Sequence, residues 1–172
     1  MNRILIIGSS GSGKTTFAKQ LSEKKGIVCY DLDEYYWLPN WQCRDLTAFQ
    51  VQVDAIINKP QWIISGNYSA VRNSIIEKAD TIIWLDYSFI RCFYQAFCRS
   101  LKRAWKKEPC CNGNYESFRQ TFLSKHSPLL WIIRSHARYR KEYNELFQSN
   151  IKHNKVLLKF DKPIKIVYLE KK

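Results

Sequence analysis

Hydrophobic residues recur along the chain in two alternating rhythms. Short unbroken runs are rich in β-branched and aromatic residues: Ile4-Leu-Ile-Ile7, Ile27-Val-Cys-Tyr30, Trp62-Ile-Ile64 and Thr81-Ile-Ile-Trp-Leu85. Such runs predict strands buried on both faces. Between them the spacing changes to that of helices. Over 14–24 it puts Phe17, Ala18 and Leu21 on one side, and Gly26 ends the element. Asp45 is placed to cap a helix reaching 58, with Leu46, Phe49, Val53, Ile56 and Ile57 as its buried stripe and Pro60 as its stop. Longer helices are expected over 88–106 and 127–147, the second opened by Ser127-Pro128. Two late strands follow, 155–160 and 164–169. The segment between Tyr35 and Trp41 reads as an aromatic loop. Strands alternating with helices predict an α/β fold of three layers with a largely parallel sheet.

The helix expected over 88–106 divides sharply. Ile90, Phe93, Tyr94, Phe97, Leu101, Ala104 and Trp105 share one side, which the spacing assigns to the core. Arg91, Arg99, Lys102, Arg103 and Lys106 share the other. This segment dominates the charge of the whole chain. Its 172 residues carry 28 Lys and Arg against 15 Asp and Glu, a net +13. Residues 1–90 balance at nine of each sign, whereas 91–141 hold twelve basic and two acidic side chains. An anionic partner is expected.

The length suits one domain, 1–172. No apolar run approaches the roughly 20 residues that span a bilayer, and the start lacks a signal peptide's apolar core. A cytoplasmic protein without a membrane partner is therefore expected. The six cysteines show no Cys-x-x-Cys pair and no zinc-type spacing with the three histidines, so they read mostly as small buried apolar residues. Oligomeric state is not legible in the pattern.

The strongest chemical signal is Gly8-Ser-Ser-Gly-Ser-Gly13-Lys14-Thr15, which fits G-x-x-x-x-G-K-[ST] between a strand and a helix. Glycines let backbone N–H groups turn inward around phosphate oxygens, and the helix N-terminus adds partial positive charge. Gly8, Ser9, Ser10, Gly11, Ser12, Gly13, Lys14, Thr15 and Thr16 are thus expected to cradle ATP. Lys14 would reach the outer phosphates and Thr15 would ligate Mg²⁺. The glycine order excludes a dinucleotide fingerprint. A GTPase would need Asn-Lys-x-Asp, but Asn154-Lys155 is followed by Val156-Leu157. A small kinase remains. Asp31 and Asp33 flank one residue at the end of the second strand, the rim where such sheets bind ligands. One carboxylate would serve the metal and the other an acceptor hydroxyl.

Read together, these residues resemble the adenylate-kinase-like phosphate-loop family of topology modulation proteins, FlaR type. The likeness runs from Ile4 to about Phe147. It rests on the loop, Asp31-Leu-Asp33 with Trp37, Gly66-Asn-Tyr-Ser69 with Arg72, Ala79-Asp80 before Trp84-Leu-Asp86, Asn112-Gly-Asn114 with Glu116, and Ser127-Pro-Leu-Leu-Trp131. The resemblance implies a nucleoside- or shikimate-kinase type of core using ATP and Mg²⁺, an acceptor-binding insertion at about 34–60 and a helical lid at about 106–127. It implies acceptor contacts from Asp33, Trp37, Gly66, Asn67 and Arg72, and metal binding by Thr15 and Asp31. One departure is Ser65, where relatives commonly carry an acid; this shifts the metal role toward Asp31 and Asp33.

Lid-type kinases clamp the transferring phosphoryl group with arginines, because the reaction needs charge neutralisation and water exclusion. Arg99, Arg134 and Arg138 are the candidates, joining Lys14 and Asp33 as catalytic groups, and Arg103 extends the stripe. The expected function is phosphoryl transfer from ATP to a small-molecule acceptor, a nucleotide foremost. The alternatives are a nucleotide-binding regulator that grips nucleic acid through the basic segment, and a slow ATPase. Tyr35, Tyr36, Trp37 and Trp41 are the candidates for stacking on a base.

Overall fold

The computed structural model describes residues 1–118, 121, 127–149 and 155–164. In chain order the main elements are β1 (Arg3–Gly8), α1 (Lys14–Lys25), β2 (Cys29–Asp31), α2 (Leu32–Tyr36), α3 (Leu46–Ile57) and β3 (Trp62–Ser65). They continue with α4 (Ser69–Lys78), β4 (Thr81–Leu85), α5 (Phe89–Lys106), α6 (Pro128–Gln148) and β5 (Val156–Phe160). The five strands form one parallel sheet in the order β2-β3-β1-β4-β5. β1 is central: Leu5 lies opposite Ile64 on one side and Ile82 on the other. Its C-terminal end therefore opens between two neighbours, the switch point at which such sheets bind ligands.

Alternation along β1 divides the core. Leu5 and Ile7 join Trp62, Ile64 and Trp84 under the apolar rows of α3, α4 and α6. Ile4 and Ile6 meet Phe17, Ala18 and Leu21 of α1 and Cys92 of α5 on the opposite face. The result is the expected three-layer α/β architecture. Each fully buried aliphatic side chain contributes about 1.5–3 kcal/mol, and the polar residues of the sheet stand at strand ends (Arg3, Asp31, Ser65, Thr81) or in the edge strand β5 (Lys159).

Several expectations need correcting. The strand expected over 27–30 begins at Cys29; Val28, 59% exposed at the sheet edge, contributes only its carbonyl, which accepts from the Ile63 amide at 3.0 Å. The segment read as an aromatic loop holds α2, capped by the Asp31 side chain, and a two-residue hairpin pairing Trp37–Leu38 with Gln42–Cys43. Leu46 does not join the stripe of α3; as its first residue it lies outside the row that meets the sheet. α4 has no counterpart in the periodicity reading. Its burial rests on Val71, Ile75 and Ile76 alone, and no side chain caps its start. From residue 165 onward the strand expected over 164–169 falls outside the described residues.

The largest correction concerns α5. Its buried residues are Cys92, Ala96 and Ser100, not the large apolar row. A steric reason is visible at Gly11, where an added Cβ would come within 2.2 Å of the Cys92 carbonyl oxygen. Only small side chains let the helix lie this close to the loop after β1. Ile90, Tyr94 and Trp105 are consequently turned outward. The cysteines also depart from expectation: Cys92 is buried, but Cys43 and Cys98 are exposed and Cys29, Cys110 and Cys111 are half-buried.

Candidate active site

The loop from Gly8 to Gly13 leaves β1 and turns into α1, whose N-cap residue Gly13 sits in the left-handed region at φ 84°. The first-turn amides of α1 are thereby left free for an anion, as the sequence pattern requires. Lys14 folds over the loop and donates from Nζ to the Ser9 carbonyl oxygen at 2.9 Å. Burial holds its pKa below the usual lysine value, against the opposing pull of Asp33 and Asp31. The hydroxyls of Ser9 and Ser12 are buried and, among the described residues, find no hydrogen-bond partner. Buried donors left open in this way fit a phosphate ligand.

Two carboxylates follow at the rim: Asp31 ends β2 and Asp33 lies in the first turn of α2. The Thr15 hydroxyl donates to Asp31 Oδ2 at 2.7 Å, and Asp31 Oδ1 accepts from the Asp33 amide at 3.2 Å. Burial raises the Asp31 pKa above the ordinary carboxylate range; the charge of Asp33 adds to the effect and the Thr15 hydrogen bond opposes it. A hard cation placed among these oxygens would relieve that penalty, and a hydroxyl beside a carboxylate is a donor set suited to Mg²⁺. The residues present therefore fit the metal. Asp31 lies across from Ser65 in the β2–β3 register, so the carboxylate is on the strand next to the one where an acid was expected.

Asp33 points to a different set of groups. Its Oδ1 accepts a 2.6 Å hydrogen bond from the Tyr68 hydroxyl. The Tyr68 ring is held against Tyr36 and Phe49, at centroid distances of 4.7 and 5.2 Å. Burial pushes the Tyr68 pKa far up, with Asp33 adding to it, so the phenol stays protonated and remains a donor. In the sequence Tyr68 stands only within Gly66-Asn-Tyr-Ser69. A Tyr following Gly-Asn at a strand end was the available signal. Asn67 anchors the same turn by donating to the Gly8 carbonyl at 2.5 Å. Gly66 is obligatory there, because a Cβ would lie 2.7 Å from Leu32 Cβ.

The cations sort into tiers. Arg99, on α5, lies within electrostatic reach of Lys14, Asp33, Glu116 and Arg103. The surrounding protein and Arg103 work against its charge, while Glu116 and Asp33 support it. Arg103 is already engaged, 2.7 Å from the buried Glu116. Arg72 is bound to Glu142 of α6 at 2.7 Å and rests against the rings of Tyr139 and Tyr143. Arg138 sits over Trp131 and Tyr139, 3.7 Å from Glu142. Arg134 is on the exposed side of α6, opposite the buried row of Ile132, His136, Tyr139 and Tyr143. Of the five expected catalytic groups, Lys14, Asp33 and Arg99 lie within electrostatic reach of one another, whereas the two α6 arginines are exposed and Arg138 engages Glu142.

The expected lid and the expected acceptor insertion are tied to each other. Asn112 donates to the carbonyls of Glu34 and Trp37, at 2.6 and 2.5 Å. Asn114 donates to Leu38 O at 2.9 Å and accepts from the Trp41 amide at 2.9 Å. The Trp41 indole donates to Tyr115 O at 3.2 Å. Trp37 stacks edge-on with Tyr36 and Trp41 within this clasp, which fixes the wall beside Asp33.

No protein-family model matches the chain, and no curated protein matches it. Solved structures do. A deoxyadenosine kinase from M. mycoides, with dCMP and a flexible dCDP bound, superposes with TM-score 0.53 at 14% identity, over 95% of this chain and 92% of that one. A shikimate kinase from Aquifex aeolicus gives TM-score 0.42 at 17% identity, over 84% of this chain and 98% of that one. The likeness to the deoxyadenosine kinase is one of fold, a three-layer α/β architecture with a parallel sheet and a phosphate loop after the first strand. These likenesses do not extend to the topology modulation type.

Proposed function

We propose that this protein is an ATP- and Mg²⁺-dependent small-molecule kinase, transferring a phosphoryl group to a small acceptor with a nucleotide as the leading candidate. The observation that carries this reading is the contact between Thr15 and Asp31 at 2.7 Å beside Lys14, with a second carboxylate, Asp33, held apart by Tyr68. A phosphate loop that only bound nucleotide would not need that second, separately oriented carboxylate. The nucleotides bound to the M. mycoides deoxyadenosine kinase support a nucleoside or nucleotide at the acceptor side.

In this reading the loop amides and the Ser9 and Ser12 hydroxyls bind the phosphates. Lys14 exchanges its hydrogen bond to Ser9 O for the outer phosphate oxygens. Mg²⁺, held by Thr15 with Asp31, supplies charge neutralisation at those oxygens when bound. Asp33 accepts the hydrogen bond of the acceptor group and takes its proton as the new P–O bond forms and the bond to ADP breaks. Arg99 offsets charge on the transferring group, and Arg134 and Arg138 add to the positive field from α6. Trp37, Gly66, Asn67 and Arg72 wall the acceptor side, and the clasp between insertion and lid excludes water.

The ordered motifs from Gly8 to Trp131 support the narrower likeness to the topology modulation type, whose label names no reaction. Use of ATP suits a cytoplasmic setting; among the described residues no helix is long and apolar enough to cross a membrane. The test is label transfer. With γ-labelled ATP and Mg²⁺, label should appear on a member of a nucleoside, nucleotide and hydroxy-acid panel. Label appearing only as free phosphate, at a rate indifferent to every acceptor, would overturn the proposal.

A further inference from the structure

The apolar row of α5 is the largest feature that the proposed reaction leaves unused. Ile90 is 79% exposed, Tyr94 66%, Leu101 39% and Trp105 79%, and Phe97 lies in the same row. The steps from 90 to 94, 97, 101 and 105 are four, three, four and four residues. Steps of four and three are the signature of a helix–helix seam. At 100° per residue the row stays within about 80° of the helix circumference over about 22 Å. It points about 140° away from the buried row of Cys92, Ala96 and Ser100. Apolar exposure is concentrated in this region: among the described residues, ten of fifteen exposed large hydrophobics lie between Phe89 and Ile133.

We propose that α5 pairs antiparallel with α5 of a second copy of this chain, forming a two-fold homodimer. Area is one reason. A fully exposed aromatic presents on the order of 150–250 Å², so the row offers on the order of 500 Å² per protomer. With the stems along its edges this approaches the roughly 800 Å² per partner of a stable interface. A contiguous patch of that size is at the upper end of what single chains expose, and such patches often mark interaction sites.

The edges of the seam supply the second reason. In an antiparallel pair, equivalent edge positions face one another across the axis. Along one edge these positions are Arg91, Cys98 and Trp105, seven residues apart. With the axis at Cys98, Arg91 meets Trp105 of the second copy; its guanidinium, 5.6 Å from the Tyr87 ring centroid in the single chain, would exchange that contact for the indole face. Cys98, exposed in the single chain, meets its own equivalent. The remaining cations lie off the seam, and Lys102 is paired with Glu108 at 3.5 Å. The opposite edge carries Phe93 and Ala104. An anionic bilayer would favour cations along both edges, so the arrangement suits a second copy better.

Sedimentation equilibrium of the full chain should give a dimer at about 10 μM, corresponding to an affinity within the ordinary range for such interfaces. Leu101→Asp and Tyr94→Asp should give monomers with unchanged far-UV circular dichroism. A short bismaleimide should crosslink the wild-type dimer and the Cys43→Ser variant, but not Cys98→Ser. If the aspartate variants fail to fold, the crosslinking comparison decides alone. A chain that stays monomeric up to about 100 μM overturns the proposal. So does a dimer whose crosslink survives Cys98→Ser, or a monomer that binds phosphatidylglycerol vesicles through Trp105.

Discussion

The Thr15 hydroxyl donates a 2.7 Å hydrogen bond to Asp31 Oδ2, joining the first turn of α1 to the end of β2. Asp31 is half-buried there beside Asp33, and its desolvation and that like charge both raise its pKa above its ordinary value of 3.8. Metal binding needs the charged carboxylate, so Mg²⁺ affinity should fall as pH drops through that raised value. Asp33→Asn removes the like charge and should move the midpoint of this loss to lower pH. The folded chain also holds the Asp31 proton more tightly than the unfolded chain. The contribution of Asp31 to metal-free stability is therefore greatest below pH 3.8 and declines as pH rises through the folded value. Melting curves against pH, with and without Mg²⁺ and ADP, check both statements. A midpoint unmoved by Asp33→Asn contradicts the assignment.

Tyr68→Phe deletes one oxygen and the 2.6 Å hydrogen bond to Asp33 while keeping the ring between Tyr36 and Phe49. With Asp33 no longer held, kcat should fall about tenfold, equivalent to about 1.4 kcal/mol, with the KM for ATP unchanged. Steady-state kinetics at saturating acceptor, with rates normalised to the concentration of nucleotide-binding sites, separate this from a folding defect, which would lower the number of binding sites and leave the rate per site unchanged.

Asn114→Ala removes the hydrogen bonds to Leu38 O and Cys111 O and the acceptor for the Trp41 amide, at a nearly buried position. At about 1 kcal/mol for each bond, a loss of about 2–3 kcal/mol is expected in urea unfolding. The KM for the acceptor should rise as the wall near Asp33 loosens, and nucleotide affinity should hold.

Asp86 ties β4 to its neighbours. Its carboxylate, 4% exposed, lies 3.1 Å from Arg140 and 3.0 Å from Lys159. Both cations are substantially solvated, which discounts the pair energies. Asp86→Asn should cost about 1–3 kcal/mol in the same urea assay.

The sequence carries the phosphate loop openly, because its chemistry is local: glycines, Lys14 and Thr15 must be adjacent to work. Strand and helix alternation is legible for a similar reason, since β1 and β4 announce burial on both faces. The orientation of α5 is not. Periodicity finds two faces and ranks the larger apolar one as core, but a close approach between Gly11 and Cys92 requires the small face inside. α4 is faint because three buried residues and an uncapped start make a weak signal. The clasp of Asn112 and Asn114 joins residues more than 70 positions apart, a distance over which pairing leaves no periodic trace. For Tyr68 the only trace is its place after Gly66-Asn67; the hydrogen bond to Asp33, 35 positions away, is set by the fold.

The central claim is acceptor-directed phosphoryl transfer. Its most direct measurement is ADP release with Mg²⁺ and ATP across an acceptor panel, made on wild type, Lys14→Ala and Asp33→Asn. At least one acceptor should raise the wild-type rate well above the acceptor-free rate. Lys14→Ala should lose both rates, and Asp33→Asn should lose about 10²–10⁴-fold of the acceptor-dependent rate while still binding ATP. An acceptor-free rate that no compound increases, and that Asp33→Asn leaves intact, would contradict the account.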